Sequence, residues 1–245
     1  MTAILIFFVA HWYLSLFCQT FFLHRYAAHA VCTMSKGWEK FFFVLTWLFQ
    51  GSSYLSAYGY GVLHRIHHAY TDTEKDPHSP SFDDNLFKMM WRTKTTYSNI
   101  FYRRLDVEER FTKGVPQWNW FDSLADNWVS RVFWIVVYTV FYIFFADAWW
   151  QYLLLPIHYA MGPVHGAIIN WFAHKYGYTN YDVKDTSKNM LPVDFLMFGE
   201  SYHNNHHKHG SDPNFGKKWF EIDPGYILIR IMNALGIIKL NKANA

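Results

Sequence analysis

The feature that most constrains this chain is a repeated histidine spacing. His64, His67 and His68 read H-x-x-H-H, and so do His203, His206 and His207. Two looser pairs, His24 with His29 and Asn170 with His174, complete a set of nine histidines and one asparagine spread over most of the sequence. On a helix, residues three and four apart return to nearly the same side, so each H-x-x-H-H element aims three imidazoles in one general direction. Neutral imidazole is a common ligand for transition metals, and this many donors exceeds what one ion needs. The spacing predicts a site for two metal ions, so any fold must bring four distant segments to one place.

Those segments stand beside apolar runs. Residues 3 to 22 form a first run of about 20, the length that spans a bilayer core. With no basic stretch before it and no small-residue cleavage site after it, the run is expected to be a retained anchor rather than a leader. His24 is expected on its last turn and His29 just beyond, because an i,i+5 spacing does not fall on one face of an α-helix. A second run, Phe41 to Tyr60, joins the first two histidine elements. If both serve one centre, this run cannot simply cross the membrane. It should dip in and return or lie in the interface, as Gln50, Gly51, Ser52 and Ser53 and the nearby tyrosines suggest. Residues 69 to 131 are polar and read as a cap, with helices expected over 82–90 and 98–111 and an aromatic group, Trp118, Trp120, Phe121 and Trp128, against the membrane surface. Val132 to Phe145 and Tyr152 to Phe172 form a hairpin of two spans, the second kinked at Pro156 or Pro163. Asp223-Pro224 reads as the start of a helix packed on the cap, with Asp as N-cap.

The expected architecture is an all-α integral membrane protein of a single domain over 1–245. It has about three transmembrane helices, an in-plane or re-entrant apolar segment, and a helical cap that holds the di-metal site. Composition agrees: 21% of residues are aromatic, yet mean hydropathy is only -0.08, which fits a few spans beneath a polar cap. All 22 Lys and Arg lie within 25–131 or 175–242, and the positive-inside rule then puts the histidines on the cytoplasmic side, with the N-terminus across the membrane. A net charge of +3 without one-sided clustering excludes a nucleic-acid partner. Cys18 and Cys32 have no metal-ligand spacing and read as structural thiols.

The histidine elements also carry a resemblance. His24-Arg-Tyr-Ala-Ala-His29, His64-Arg-Ile-His67-His68, Asn170-Trp-Phe-Ala-His174 and Gly199-Glu-Ser-Tyr-His203-Asn-Asn-His206-His207 resemble the histidine boxes of membrane fatty acid desaturases of the stearoyl-CoA type. Asp76-Pro77-His78 and the stretch from Gly177 to Asp182 agree with it, and the N-x-x-x-H element separates this type from membrane hydroxylases and alkane oxygenases. The resemblance spans roughly residues 20 to 240. It implies two iron ions held by His24, His29, His64, His67, His68, Asn170, His174, His203, His206 and His207. It also implies O2 as co-substrate and insertion of a cis double bond, in the delta-9 position for this type, into a long saturated acyl chain. The spacing alone says two transition metals; iron comes from the resemblance. Acyl-CoA is the first expectation for the substrate, with a carrier-protein thioester or acyl lipid open, because Val62 and Leu63 stand where the acyl-CoA enzymes commonly have an acidic residue. Members of the family often have two spans before the first box, where this chain has room for one.

Electrons must come from outside, since the chain shows no haem module, dinucleotide fingerprint or iron–sulfur motif. A ferredoxin, or a b-type cytochrome with its reductase, is the implied donor. Glu200, Asp76 and Asp182 are the expected carboxylate supports for ligand imidazoles. His11, His158 and His165 read as core histidines, His209 as solvated, and His78 as no ligand. A di-iron lipid hydroxylase is the alternative enzyme. A metal transporter or bis-histidine haem protein would instead place its ligands within the spans.

Overall fold

The computed structural model describes residues 2–241. Helix α1, Thr2–Phe17, is built mostly from apolar residues, without Gly or Pro, and continues into a π-helical stretch, Cys18–Ala28. Together they form a 27-residue rod long and apolar enough to cross a membrane. His24 stands in its last turn and His29 just beyond it, as expected, but the turn is π-helical rather than α-helical. Its wider i→i+5 winding places the His29 N–H 3.1 Å from the His24 carbonyl, so an i,i+5 pair that an α-helix would splay apart converges, with ring centroids 5.0 Å apart. The chain then turns through Ala30 at φ +50° into strand β1, Cys32–Met34.

Helix α2, Lys36–Gln50, is N-capped by Ser35, which accepts from the Trp38 N–H. Its 15 residues rise about 22 Å, short of the ~30 Å bilayer core. It ends at Gly51, and a tight turn over Gly51–Ser53 leads to α3, Ala57–Tyr70, capped by Ser56. The apolar run over 41–60 therefore breaks at Gly51–Ser53 rather than continuing as one helix. Arg131 fixes the turn, donating to the carbonyls of Ser52 at 2.6 Å and Tyr54 at 3.1 Å. Gly51 has φ +52°, and a Cβ there would strike the Tyr138 hydroxyl. Gly51→Ala is expected to cost roughly 2 kcal/mol from the backbone alone, lowering the thermal midpoint by about 4–8 °C, as a melting curve on the purified protein would show.

The cap contains α4, Leu86–Phe101, α5, Glu109–Thr112, and α6, Asn119–Ala125. One helix thus bridges the two that the sequence suggested over 82–90 and 98–111. Its apolar residues are mixed with Lys88, Arg92 and Lys94, so hydropathy marks no boundary; Asn85 does, accepting from the Lys88 N–H at 3.0 Å. Helix α7, Trp128–Phe145, is capped by Asn127 and leaves Val129, Phe133, Val136, Ile143 and Phe144 exposed. Such an apolar face suits lipid rather than water.

After a tight turn at Trp149–Leu154 the chain runs through α8, Leu155–Tyr159, and α9, Met161–Ala167, into a second π-helical turn, Ile168–Phe172. The two halves of this return path, 149–159 and 161–172, are bent by 77°. Pro156 and Pro163 each sit in the first turn of a short helix, where a missing N–H is tolerated, so the break falls between them at Ala160. Among the described residues two helices are long and apolar enough to span, or three if the bent pair counts as one.

Helix α10, His203–Lys208, and α11, Pro224–Ala234, complete the helices. Asp223 caps α11 as expected, accepting from the Tyr226 N–H at 2.9 Å. Strand β2, Ile238–Leu240, pairs antiparallel with β1, Cys32 opposite Leu240, so the fold is not wholly α. This ribbon pins the far end of the cap to the exit of α1, over a core of Phe21, Phe22, Phe43, Ile229 and Met232.

Candidate metal centre

Four segments converge where the rods meet the cap: the π-helical end of α1, the last turns of α3, the chain just after the π-helical turn at 168–172, and α10. They bring the nine histidines into two groups. His24, His29, His64, His68 and His206 form one; His67, His174, His203 and His207 form the other, and within each group one nitrogen per ring lies within 4.8 Å of all the rest. Nε2–Nε2 separations are 3.0 Å for His24–His206, 2.9 Å for His29–His64, 2.9 Å for His68–His206, 3.0 Å for His174–His203 and 3.3 Å for His67–His207.

The H-x-x-H-H spacing proves to be a divider. Residues i and i+4 stay on one side of a helix, while i+3 is rotated from i+4 by about 100°. Accordingly α3 sends His64 and His68 to the first group and His67 to the second. Helix α10 does the reverse, giving His203 and His207 to the second and His206 to the first. Two crossed helices with one motif thereby supply three rings to each group.

Four of the far nitrogens stand beside oxygen partners. His67 Nδ1 lies 2.9 Å from Asp76, His207 Nδ1 3.0 Å from Asp185, and His24 Nδ1 2.7 Å from Glu200. His174 Nδ1 lies 3.2 Å from Thr186 Oγ1, with Asp72 beyond at 3.7 Å. Fixing Nδ1 as the donor leaves Nε2 with its lone pair facing the group, the tautomer a metal needs. Burial, followed by mutual repulsion among the rings, holds His64, His68, His203 and His206 well below the usual imidazole range. Burial lowers His207 to about 4 against the opposing pull of Asp185. Burial would raise Asp76 and Asp185, but the facing His67 and His207 win and keep both carboxyls ionised. The site is thus a set of imidazole nitrogens backed by carboxylates, a donor set that fits two divalent transition metals.

Asp76 and Glu200 stand where the sequence placed them. Asp182 does not: it is exposed, in the 179–188 loop, and Asp185 takes the bracing position. Asp72 and Asp185 were missed. A local signal exists, for Asp76 and Asp185 both accept the backbone N–H two residues ahead, from His78 and Ser187, the Asx-turn habit of short acidic side chains. Asp185→Asn is expected to weaken the tighter-bound metal fraction about 10- to 100-fold, read by chelator competition, while Asp182→Asn leaves it unchanged.

The asparagines inside the third element were also unread. Asn204 accepts from the N–H groups of Asn180 and Tyr181, both at 2.9 Å, and Asn205 donates to Glu221 at 2.9 Å and to the Phe215 carbonyl at 2.8 Å. They lock the loops that carry the braces. Asn170 is half-buried on the π-helical turn and lines a cavity of about 810 Å³ beside His24, His64 and His203. His78 packs its ring 4.2 Å from that of His67, and His209 is exposed against Tyr181.

The cavity touches both histidine groups and runs between Leu16, Leu63, Ile169 and Met197. A mouth at α4 carries the exposed Phe87, Trp91 and Tyr102 with Lys94 and Arg104. It therefore offers a long, mostly apolar guest a path past paired metal-binding groups.

Known proteins agree with this geometry. The chain is 28% identical to the sn-1 stearoyl-lipid 9-desaturase of Synechocystis sp., over 88% of this chain and 64% of that protein. It is 28% identical to Delta-9 acyl-lipid desaturase 1 of Arabidopsis thaliana, over 87% of this chain and 67% of the relative. It is also 28% identical to the hex-5-enoyl-[acyl-carrier protein] acetylenase of Moorena producens, over 94% and 74%. The chain thus spans about two thirds of the length of these relatives. A family model described as fatty acid desaturase matches residues 1–218, a stretch that includes all nine clustered histidines, and the chain belongs to that family.

Proposed function

We propose that this protein is an O2-dependent fatty acyl desaturase that introduces a cis double bond into a long saturated acyl chain at a di-iron centre. One observation carries the reading: two groups of buried or half-buried imidazoles, five and four, both open onto one cavity of about 810 Å³. His24, His29, His64, His68 and His206 would hold one iron, and His67, His174, His203 and His207 the other. Asn170 faces the cavity as an additional polar group. When bound, the iron pair would let O2, with two electrons from the donor, act as the oxidant that removes two hydrogens from unactivated C–H bonds and ends as two waters.

The protein's own residues do the rest. Asp76, Asp185 and Glu200 hold three imidazoles in register through their Nδ1 atoms. Leu16, Leu63, Ile169 and Met197 present an apolar wall that gives the chain a single path and keeps bulk water away. Methylenes have neither an acidic proton nor a polar handle, so side-chain acid–base chemistry has nothing to grip, and position along the chain must be set by where the cavity holds it.

We place the centre on the cytoplasmic side, by the distribution of Lys and Arg. The electron donor is a ferredoxin or a b-type cytochrome with its reductase, meeting the cytoplasmic face. For the substrate, the names of the relatives and the exposed aromatic mouth at Phe87, Trp91 and Tyr102 favour an acyl group presented from a membrane lipid; acyl-CoA would reach the same mouth from water. Delta-9 is the expected position.

The test is the fatty-acid profile, resolved by lipid class, of cells expressing the full chain with a donor, beside a His207→Ala control. New cis-monoenes absent from the control are the expected result, and their appearance first in intact lipids identifies the carrier. A hydroxylated chain in their place would assign the hydroxylase chemistry that the same centre supports.

A further inference from the structure

Polar residues line the cavity at several places, and one of them lies on α9, away from the two histidine groups. His165, on α9, is fully buried, lines the cavity, and has no hydrogen-bond partner at either ring nitrogen. It stands nine residues before His174, on the far side of the second π-helical turn. Its one close ring neighbour is Trp12, edge to face at 4.5 Å, a contact that can occupy at most one of its nitrogens. One turn away on the same helix is Gly162, where a Cβ would lie 3.8 Å from Gln19 Oε1. That oxygen is also buried and unpartnered, and Gln19 lines the same cavity. Ser53, beside it, is already engaged: its hydroxyl donates to the Gln50 carbonyl at 2.8 Å and accepts from the Gly162 N–H at 3.0 Å.

Buried donors and acceptors left unpaired are costly, and a tunnel for plain hydrocarbon has no use for them. The glycine leaves room beside Gln19, where a Cβ would be in van der Waals contact with its Oε1.

We propose that His165 and Gln19 form a subsite for a hydroxyl group on the acyl chain, several carbons beyond the reacting methylenes, so that the protein prefers mid- or tail-hydroxylated long-chain acyl groups over plain ones. A neutral imidazole has one donor and one acceptor, the amide carbonyl is an acceptor, and an alcohol has one donor and two lone pairs. The alcohol can take the imidazole N–H and give its own proton to Gln19. A ketone could not do the second, and a methylene could do neither.

The inference rests on reading the cavity as an acyl tunnel, and the test separates the two. Metal-free full-length protein in detergent is titrated with stearate and with a positional series of monohydroxystearates, each competing against a fluorescent fatty acid. At least one isomer is expected to bind about tenfold more tightly than stearate, the scale of one well-made buried hydrogen bond. His165→Leu is expected to erase that gap, and His165→Gln, which keeps a donor and an acceptor, to retain it. Equal binding of stearate and every isomer by the wild type would overturn the proposal and assign the unpaired nitrogens to buried water, whatever the variants do. Cells fed stearate together with the best isomer give the second arm. Stearate desaturated without preference sinks the subsite and leaves the desaturase reading intact. Hydroxystearate bound through His165 but never desaturated does the reverse.

Discussion

On the proposed di-iron reading, replacing His206 by alanine is expected to lower bound iron from about two per chain to about one and to cut monoene formation at least about 100-fold. His206 is the only residue of α10 in the five-histidine group, and its Nε2 is 3.0 Å from that of His24 and 2.9 Å from that of His68. It thus sits between a ligand from the first element and one from the second. Its removal takes one donor and frees two others to pair with each other, while the four-histidine group keeps every ring. His203→Ala should produce the mirror result, loss from the other group. Metal analysis of the purified variants beside product chromatography decides the matter: full iron content in both would refute the division into two groups. Partial activity with one iron would refute the need for a pair.

That division was only half legible in the sequence. The residues themselves could be found because imidazoles at three- and four-residue spacing beside apolar runs have few other uses. Their assignment to separate ions could not, since i+3 and i+4 look equivalent along a chain and differ only in rotation about the axis. The π-helical ends at Cys18–Ala28 and Ile168–Phe172 were hidden for a related reason: winding leaves no mark in hydropathy. Yet the five-residue gap between His24 and His29, awkward for an α-helix, was the trace of it. The break in the second apolar run was foreseen from the need to return, with Gln50 to Ser53 as the visible cause. Helix α4 was divided wrongly because its buried residues, Met89, Tyr97 and Ile100, are too few among polar neighbours to set a period. Asp185 was passed over for Asp182 because charge alone cannot say which carboxylate a loop turns inward.

Arg25 was invisible for a different reason: next to a metal-ligand motif and followed by no charge pattern, a single arginine reads as a surface residue at a membrane edge. It is instead fully buried. Its guanidinium donates to Asp223 at 2.6 Å, to Glu200 at 3.3 Å, to the Pro213 carbonyl at 3.0 Å and to Thr20, and it covers the Phe215 ring at 3.9 Å. Each partner has a second duty. Glu200 braces His24, Asp223 caps α11 and accepts from the Phe215 N–H at 3.0 Å, and Phe215 packs its ring 4.4 Å from that of His206. The residue after the first ligand thereby ties the end of α1 to both the third histidine element and the last helix. Arg25→Met is expected to cost about 3–5 kcal/mol, because the replacement keeps volume but leaves two buried carboxylates uncompensated. Arg25→Lys should recover little, for one ammonium cannot span both carboxylates as the planar fork does. Burial already pushes Asp223 upward with only Arg25 and nearby N–H groups holding it down, so Arg25→Met with Asp223→Asn should be more stable than Arg25→Met alone. Melting curves of the three variants test the sign and order. If Arg25→Met melts with the wild type, the guanidinium is not what holds these carboxylates. If it melts low but the double variant melts no higher, Glu200 rather than Asp223 carries the burden, and the loss should then appear first as iron released from the five-histidine group that Glu200 supports through His24.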